Sequence, residues 1–165
     1  MKKKTMTKSI KYLFLILIVS AIFASAGLAD NNVYLSKGQT LYVPVYTHIY
    51  SGLKGRPFDL AATLSIRNTD PGHPINLISV KFYDTDGKLL KDFVSEPVRL
   101  NALVSTRYVI KEAEIGGGSG ANFMVTWKAE KKVNLPIIEA IMIGTKSGQG
   151  ISFVSRGQVI EDHSK

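Results

Sequence analysis

The sequence predicts an all-β protein, an immunoglobulin-like antiparallel β-sandwich of about seven to nine strands. Apolar and polar residues alternate along most of the chain beyond residue 30, which is the period of a half-buried strand. Turn-forming segments such as "NTDPGHP" and "DTDGK" separate the alternating runs. No stretch beyond residue 30 repeats its apolar residues at helical spacing. A small closed β-barrel is the alternative architecture.

Two runs show the alternation most clearly, "FDLAATLSIRNT" and "ANFMVTWKAE". Each places large apolar side chains on one face and mostly polar side chains on the other, which predicts these core residues: Phe58, Leu60, Ala62, Leu64, Ile66, Phe123, Val125, Trp127 and Ala129. Further strands are predicted at "LYVPVYTHIY", "INLISVKFYDT", "KLLKDF", "STRYVIKEA", "PIIEAIMIGT" and "GISFVSRGQVI".

The first 29 residues have the pattern of a secretory signal peptide. Lysines crowd the start, an uncharged apolar run extends from Tyr12 to about Ala26, and the small residues Gly27 and Ala29 fit a cleavage site. We therefore expect cleavage after Ala29 and an extracytoplasmic protein, periplasmic or secreted, that meets the membrane only during export. An uncleaved membrane anchor over Ile10 to Ala29 is the alternative.

The remaining chain is expected to form one domain. Residues 30–40 are predicted as a linker and first strand, residues 41–160 as the sandwich domain, and residues 161–165 as a flexible tail. The sequence has no cysteine, which excludes disulfides, thiol chemistry and a lipid-modified cysteine. The apolar core must therefore hold the fold by itself.

The net charge of +8 does not indicate a nucleic-acid partner. Five of the 21 basic residues and none of the 13 acidic residues lie in the first 29 positions, so the rest of the chain carries only +3. The remaining lysines and arginines are scattered and form no stripe with interleaved aromatic residues. The charge is mostly a targeting feature, and nucleic acid is not an expected partner.

The glycine-rich segment "IGGGSGANF" shares features with two catalytic motifs and fits neither. A nucleotide-binding P-loop needs a lysine after its last glycine and then a helix, but here a predicted strand follows. A nucleophile elbow needs a glycine two residues after its serine, and Ala121 stands at that position after Ser119. The segment is predicted to be a tight bend between strands, built on the ability of glycine to adopt positive φ.

No metal or cofactor site is expected. The three histidines, His48, His73 and His163, lie in a predicted strand, a turn and the tail, and none has a partner at zinc-ligand spacing. The "DTDG" segment is not an EF-hand loop, because that alignment puts Phe82 and Phe93 at the first and last ligand positions.

The run "LYVPVYTHIY" is a candidate recognition surface. Pro44 cannot donate a hydrogen bond to a neighbouring strand, so this strand is predicted at a sheet edge. Tyrosine combines a large contact area with a polar tip, which favours binding. Coverage by a neighbouring loop, as a second small core, is the alternative. Alternation places four residues together on the polar face: Tyr42, Tyr46, His48 and Tyr50.

Glu139 is a second candidate because it shares a strand face with Ile137, Ile141 and Ile143. A carboxylate among apolar side chains must find a partner or shift its pKa. A structural ion pair is a commoner arrangement than an active-site acid. Three arginines are candidate partners: Arg67, Arg107 and Arg156.

Six blocks of the sequence, in order, resemble an exported bacterial family catalogued only as a domain of unknown function, number thirty-one twenty-four. The blocks are "YVPVYTHIY", "RPFDLAATLSIRNTD", "FYDTDGKLL", "GGSGANFMVTW", "PIIEAIMIGT" and "QGISFVSRGQVI". The resemblance runs from about Tyr42 to Ile160 and implies a bacterial, extracytoplasmic protein. It implies no activity, so no functional residue is carried over. Some members resemble lipoproteins, but this chain lacks the cysteine that lipid attachment requires.

These observations support two hypotheses of function. The first is a non-enzymatic module of the cell envelope that binds a partner protein, a peptide or a glycan through the tyrosine-rich face, because no catalytic template fits. The second is a small hydrolase or other ligand-processing enzyme that uses Glu139 with His48 or Ser119. The second hypothesis requires these groups to converge in one pocket, which a structure can test.

Overall fold

The structure is a computed structural model that describes residues 34–51, 54–112, 116–146 and 148–164. The chain divides into two units, Met1–Val33 and Tyr34–Lys165. The predicted signal peptide and its cleavage site lie outside the described residues, which all belong to the second unit.

The described residues form twelve strands. In chain order they are β1 (Leu35–Val45), β2 (His48–Ser51), β3 (Arg56–Asp59), β4 (Ala61–Arg67), β5 (Ile75–Tyr83), β6 (Leu89–Asp92), β7 (Val98–Leu100), β8 (Ser105–Ile110), β9 (Ala121–Asn134), β10 (Ile137–Lys146), β11 (Gln149–Arg156) and β12 (Gln158–Asp162). Within this part of the chain, no helix has the length and apolar character that a membrane crossing requires.

The strands pair in two main antiparallel sheets. The larger sheet has the order β12-β1-β9-β5-β6, with β7 also paired to β5, and the second sheet has the order β11-β10-β4-β8. Strands β2 and β3 form a separate two-stranded sheet. The prediction of an all-β antiparallel sandwich is confirmed, and the barrel alternative is wrong because neither main sheet closes on itself. There are more strands than expected because four of them have only three or four residues.

The core lies between the two main sheets and follows the predicted alternation. In β4, Ala62, Leu64 and Ile66 are fully buried, and in β9 Phe123 and Val125 are as well. Trp127, the only tryptophan of the chain, is also fully buried on β9. Burial of one such large apolar side chain contributes about 1.5–3 kcal/mol to the stability of the fold. The inward faces of β4 and β9 are therefore as predicted, apart from Ala129, which is half-buried.

The glycine-rich segment is a bend held by two threonines. The Thr47 hydroxyl lies 2.9 Å from the amide N of Gly118, which donates to it. The Thr85 amide and hydroxyl both donate to the carbonyl of Gly117, at 2.9 and 3.0 Å. Gly118 has φ +83°, so the predicted use of glycine at positive φ is confirmed. The segment connects to β9, a strand, and no helix follows it.

The run "LYVPVYTHIY" does not form one edge strand, so that prediction is wrong. Strand β1 lies inside the larger sheet between β12 and β9, and the chain breaks at Tyr46 and Thr47 before β2 begins. Pro44 is tolerated because it lies beyond Tyr42, the last residue of β1 that pairs with β12. On that side, Pro44 has no described strand partner that would need its missing N–H.

The end of the chain is more ordered than the predicted tail. Glu161 and Asp162 belong to β12, where Asp162 pairs in register with Gln39 of β1. The amide of His163 donates to the carbonyl of Gly38 at 2.8 Å. Strand β12 therefore forms an edge of the larger sheet, and its last residues are fixed by hydrogen bonds.

Candidate functional site

A cavity of about 590 Å³ opens beside two connections that pass between the two main sheets, from β9 to β10 and from β11 to β12. We call it the crossing cavity. The connection from β9 to β10 forms one wall, through Leu135 and Pro136, and the connection from β11 to β12 forms another, through Gly157. The complete lining is Gln39, Leu41, Arg67, Leu135, Pro136, Ile137, Ile138, Glu139, Arg156, Gly157 and Val159. Three of these residues, Arg67, Glu139 and Arg156, are candidates from the sequence.

Glu139 lies at the rim of the crossing cavity with a partner strand on each side. Its register partner on β11 is Arg156, and its register partner on β4 is Ser65. The buried residues of β10 are Ile138, Ala140 and Met142, so Glu139 shares the opposite face with the neighbouring isoleucines, as predicted. Glu139 therefore lies on the outer face of the second sheet, which is accessible to a ligand.

Arg67 reaches the same position from the opposite side. Its Nε donates to the hydroxyl of Ser65 at 3.2 Å, so the side chain folds back along β4 toward the register position of Glu139. This contact covers Ser65, which is only 8% exposed although it lies on the outer face. Glu139 is thus flanked by Arg156 on β11 and by Arg67 on β4.

The three charged groups are adjacent but do not neutralise one another. Among the described residues, no ion pair within 4.0 Å joins Glu139 to Arg67 or to Arg156. The expected structural ion pair is therefore absent from this part of the chain. Arg107 is the register partner of Ser65 on β8, two strands away from Glu139, and it does not line the cavity. Apart from the Arg67 Nε, which donates to Ser65, the guanidinium groups of Arg67 and Arg156 have no hydrogen-bond partner among the described residues.

The inner walls of the crossing cavity are largely apolar. Leu41 and Ile138 are nearly fully buried and belong to the core, while Val159 of β12 is 40% exposed. Gln39 adds a buried amide, only 5% exposed, on β1. Its register partner on β9 is Trp127, so the two side chains lie side by side on the same face of the larger sheet.

A turn after β4 fixes the wall formed by Leu135. The Thr69 hydroxyl donates to the carbonyl of Leu135 at 2.8 Å, and the Asn134 amide donates to Asp70 Oδ2 at 3.1 Å. Asp70 Oδ1 accepts from the amides of Gly72 and His73 at 2.9 and 2.8 Å. Because these amides, first Gly72 and then Asn134, stabilise the carboxylate, the pKa of Asp70 is lowered to about 2. Asp70 therefore stays ionised and holds the turn.

The structure separates the four residues of the predicted tyrosine-rich face. Tyr42 lies on β1, where it pairs with Met124 and Gln158. Tyr46 packs against the core, with its ring 5.6 Å from that of Phe153 on β11. The single surface assumed from alternation therefore does not exist, although each residue stays a candidate for binding.

His48 and Tyr50 remain together on β2. Their rings are 5.2 Å apart, and His48 Nε2 lies 3.3 Å from the Tyr50 hydroxyl. Tyr50 is 64% exposed. This pair is an exposed aromatic contact and lies outside the crossing cavity.

The groups of the enzyme hypothesis do not converge in the described structure. Glu139 lines the crossing cavity, His48 pairs with Asp59 of β3, and Ser119 lies in the glycine-rich bend. Neither His48 nor Ser119 lines the cavity. Within the described ranges, no three His, Asp or Glu side chains are grouped so that they could hold a metal ion.

Sequence reasoning named none of the other eight lining residues as part of a site: Gln39, Leu41, Leu135, Pro136, Ile137, Ile138, Gly157 and Val159. "GISFVSRGQVI" was expected to be one strand, but the chain leaves the second sheet at Gly157 and continues as β12 in the larger sheet. The Gly157 amide donates to the carbonyl of Ile138 at 2.9 Å, and a Cβ at this position would lie 3.0 Å from that same oxygen. The signal was present, because a glycine inside an alternating run indicates a bulge or a close backbone approach.

Comparisons with known proteins give a family and no activity. Residues 38–160 match the family described as "Protein of unknown function (DUF3124)". No curated protein matches the chain. The solved structure titled "Crystal Structure of Thermotoga maritima 1070" aligns with a TM-score of 0.44 and 12% identity, over 73% of this chain and 92% of that one. That likeness carries no argument about function.

Proposed function

The chain belongs to the DUF3124 family of proteins of unknown function, and we propose that it is an exported, non-enzymatic binding module of the bacterial cell envelope. Its binding site is the crossing cavity. The observation that carries this proposal is the grouping of Arg67, Glu139 and Arg156, unpaired with one another, at the rim of an apolar cavity.

The size and lining of the crossing cavity fit a bound ligand. Cavities that hold small ligands measure roughly 300–1,000 Å³ and combine apolar walls with a few polar groups that orient the ligand. The crossing cavity, at about 590 Å³, lies inside that range. Two arginines and one glutamate leave a net positive rim, which favours a ligand that carries an anionic group and an apolar part.

The binding role is favoured over the enzymatic one by the arrangement of the polar groups. Nucleophilic or general acid–base catalysis needs the reacting side chains within hydrogen-bond reach of each other. His48 and Ser119 lie outside the crossing cavity, so Glu139 has neither of its proposed catalytic partners there. A peptide, a small envelope metabolite or a segment of a partner protein remains the class of ligand that this site accepts.

The proposal is tested with small molecules and peptides extracted from the native cell envelope. Trp127 is the only tryptophan and is the register partner of the cavity residue Gln39, so we expect its fluorescence, together with the thermal unfolding midpoint, to report occupancy of the cavity. We expect the extract to raise the midpoint of the wild-type protein and to have no effect on the double variant Arg67→Ala, Arg156→Ala.

Arg107→Ala is the matched control, because it removes an arginine from the same outer face without touching the cavity. This variant should respond to the extract as the wild type does. An equal response of the double variant, or no response of the wild type, would refute the proposed site. Mass spectrometry of the recovered ligand should find it unaltered, whereas conversion that depends on Glu139 would support an enzyme.

A further inference from the structure

We infer that the crossing cavity recognises the free head group of an apolar α-amino acid, with its ammonium on Glu139 and its carboxylate on Arg156 and Arg67. This inference rests on the proposed function and specifies the chemistry of the ligand. It follows from the order of charges along the rim, which is positive, negative, positive across β4, β10 and β11.

The register of Glu139 and Arg156 suits a ligand whose two charges lie on one carbon. Glu139 and Arg156 are register partners on adjacent antiparallel strands, which places their Cβ atoms about 4.5–5.5 Å apart. A ligand that carries an ammonium and a carboxylate on the same carbon can contact both side chains at once. A longer zwitterion, with its charges at opposite ends of a chain, cannot do so without folding back.

Because Glu139 forms no ion pair with its neighbouring arginines in the described structure, a ligand can supply the opposite charge to each of them. Among the described residues, no nitrogen of either neighbouring arginine forms an ion pair with the Glu139 carboxylate within 4.0 Å. A ligand with one positive and one negative group satisfies the carboxylate and the guanidinium groups together. A simple carboxylate would satisfy the arginines but would meet repulsion from Glu139, and a simple amine would meet the reverse.

The walls determine the rest of the ligand. Leu135, Ile138 and Val159 line the cavity beside the charged rim, so the side chain of the amino acid is expected to be apolar. The buried amide of Gln39 on β1 is the polar group among these walls. Leucine and phenylalanine have the required combination of a zwitterionic head and an apolar side chain.

The experiment compares leucine with two derivatives that each lack one charge. Isothermal titration of the full purified protein is carried out with leucine, with N-acetyl-leucine, which has no ammonium, and with leucinamide, which has no carboxylate. We expect leucine to bind at least about 10-fold more tightly than either derivative, because each loses a charge-assisted hydrogen bond. Glycine, which has no apolar side chain, should also bind more weakly than leucine.

Two variants link each charge to its protein group. Glu139→Gln should weaken the binding of leucine and remove the preference for leucine over N-acetyl-leucine. Arg156→Gln should remove the preference for leucine over leucinamide. Arg107→Gln serves as the control and should keep both preferences. Thermal unfolding confirms that each variant is folded before titration.

The outcomes distinguish this inference from the proposed function. If N-acetyl-leucine or leucinamide binds as tightly as leucine, the head-group recognition is wrong. If leucine and phenylalanine do not bind but the envelope extract still stabilises the wild type and not the double arginine variant, the inference fails and the proposed function stands. If neither the amino acids nor the extract bind, both fail.

Discussion

Gly118 and Gly87 have nearly the same φ angle but different neighbours. Their φ angles are +83° and +79°, a region that side chains with a Cβ rarely adopt. A Cβ on Gly87 would meet nothing within 4 Å, whereas a Cβ on Gly118 would collide with the Thr85 hydroxyl. That hydroxyl cannot easily move, because it donates to Gly117 and accepts from the amide of Gly120.

We expect Gly118→Ala to destabilise the protein more than Gly87→Ala does. Both substitutions place a Cβ at positive φ, which should lower the free energy of unfolding by about 1–2 kcal/mol. The collision at Gly118 should lower it by about 1–3 kcal/mol more. Chemical denaturation with urea, followed by Trp127 fluorescence, measures the two free energies of unfolding. Equal losses of unfolding free energy in the two variants would show that the hydrogen bonds of Thr85 do not stabilise the bend.

At the scale of the element, β10 is a strand whose buried face cannot be read from alternation alone. Its sequence, "IIEAIMIGTK", has apolar residues on both faces, so the pattern does not say which face packs on the core. In the structure, Ile138, Ala140 and Met142 are the buried residues. On the outer face, Ile143 is 52% exposed.

The face assignment of β10 predicts unequal costs for two neighbouring substitutions. Met142→Ala removes a fully buried side chain and should lower the free energy of unfolding by about 2–5 kcal/mol. Ile143→Ala trims a side chain that is half in solvent and should change it by less than about 1 kcal/mol. Thermal and urea unfolding of both variants test this, and the reverse order of costs would show that the face of β10 that carries Ile143 is the buried one.

The elements that sequence reasoning identified correctly are those with one polar and one apolar face. In β4 and β9 the alternation is unambiguous, and their predicted core residues are buried, with Ala129 half-buried. The end of β1 was not predictable in the same way, because it depends on the hydrogen bond between Thr47 and Gly118, residues 71 positions apart. Local pattern contains no information on such a contact.

At the scale of the whole molecule, two ionised aspartates fasten the connections around the core. Asp70 holds the turn after β4 against Asn134 at the end of β9. Asp162 accepts from the Ser36 hydroxyl at 2.9 Å and joins the end of β12 to the start of β1. Hydrogen bonds from Ser164 and then Ser36 hold the pKa of Asp162 below its usual value. Both carboxylates must be ionised to keep these contacts.

Acid should therefore weaken the fold in a definite range of pH. The pKa of Asp70 falls from 3.8 to about 2 on folding, so its contribution is fully present above the unfolded value and is lost as the pH drops toward 2. We expect the unfolding midpoint to fall between about pH 4 and pH 2 in the wild type. Asp70→Asn should be less stable at pH 7 and show a flatter decline over that range.

Asp59→Asn, which removes an exposed carboxylate from β3, is the control for this pH series. The unfolding midpoint of this variant should fall with decreasing pH as that of the wild type does. If the unfolding midpoint of Asp70→Asn falls with pH as steeply as that of the wild type, the turn held by Asp70 does not contribute to acid sensitivity.

The sequence predicted the fold class, the family and three of the residues that line the crossing cavity. The family resemblance is confirmed by the match over residues 38–160. Arg67 and Arg156 were predicted for a different reason, as candidate partners of Glu139 in a structural ion pair, and all three residues line the cavity. The cavity itself was not predictable, because its walls come from β1, β10 and β12, and which sheet each strand joins depends on long-range pairing.

The chain passes between the two main sheets at Leu135 and Pro136 and again at Gly157, on either side of the crossing cavity. Both joins are covalent, so they limit how far the two sheets can move apart at this cavity. The connections from β4 to β5 and from β7 to β8 join the same two sheets elsewhere. We therefore expect the width of the cavity to vary little as the sheets move, and the affinity of a ligand bound there to be insensitive to such motion.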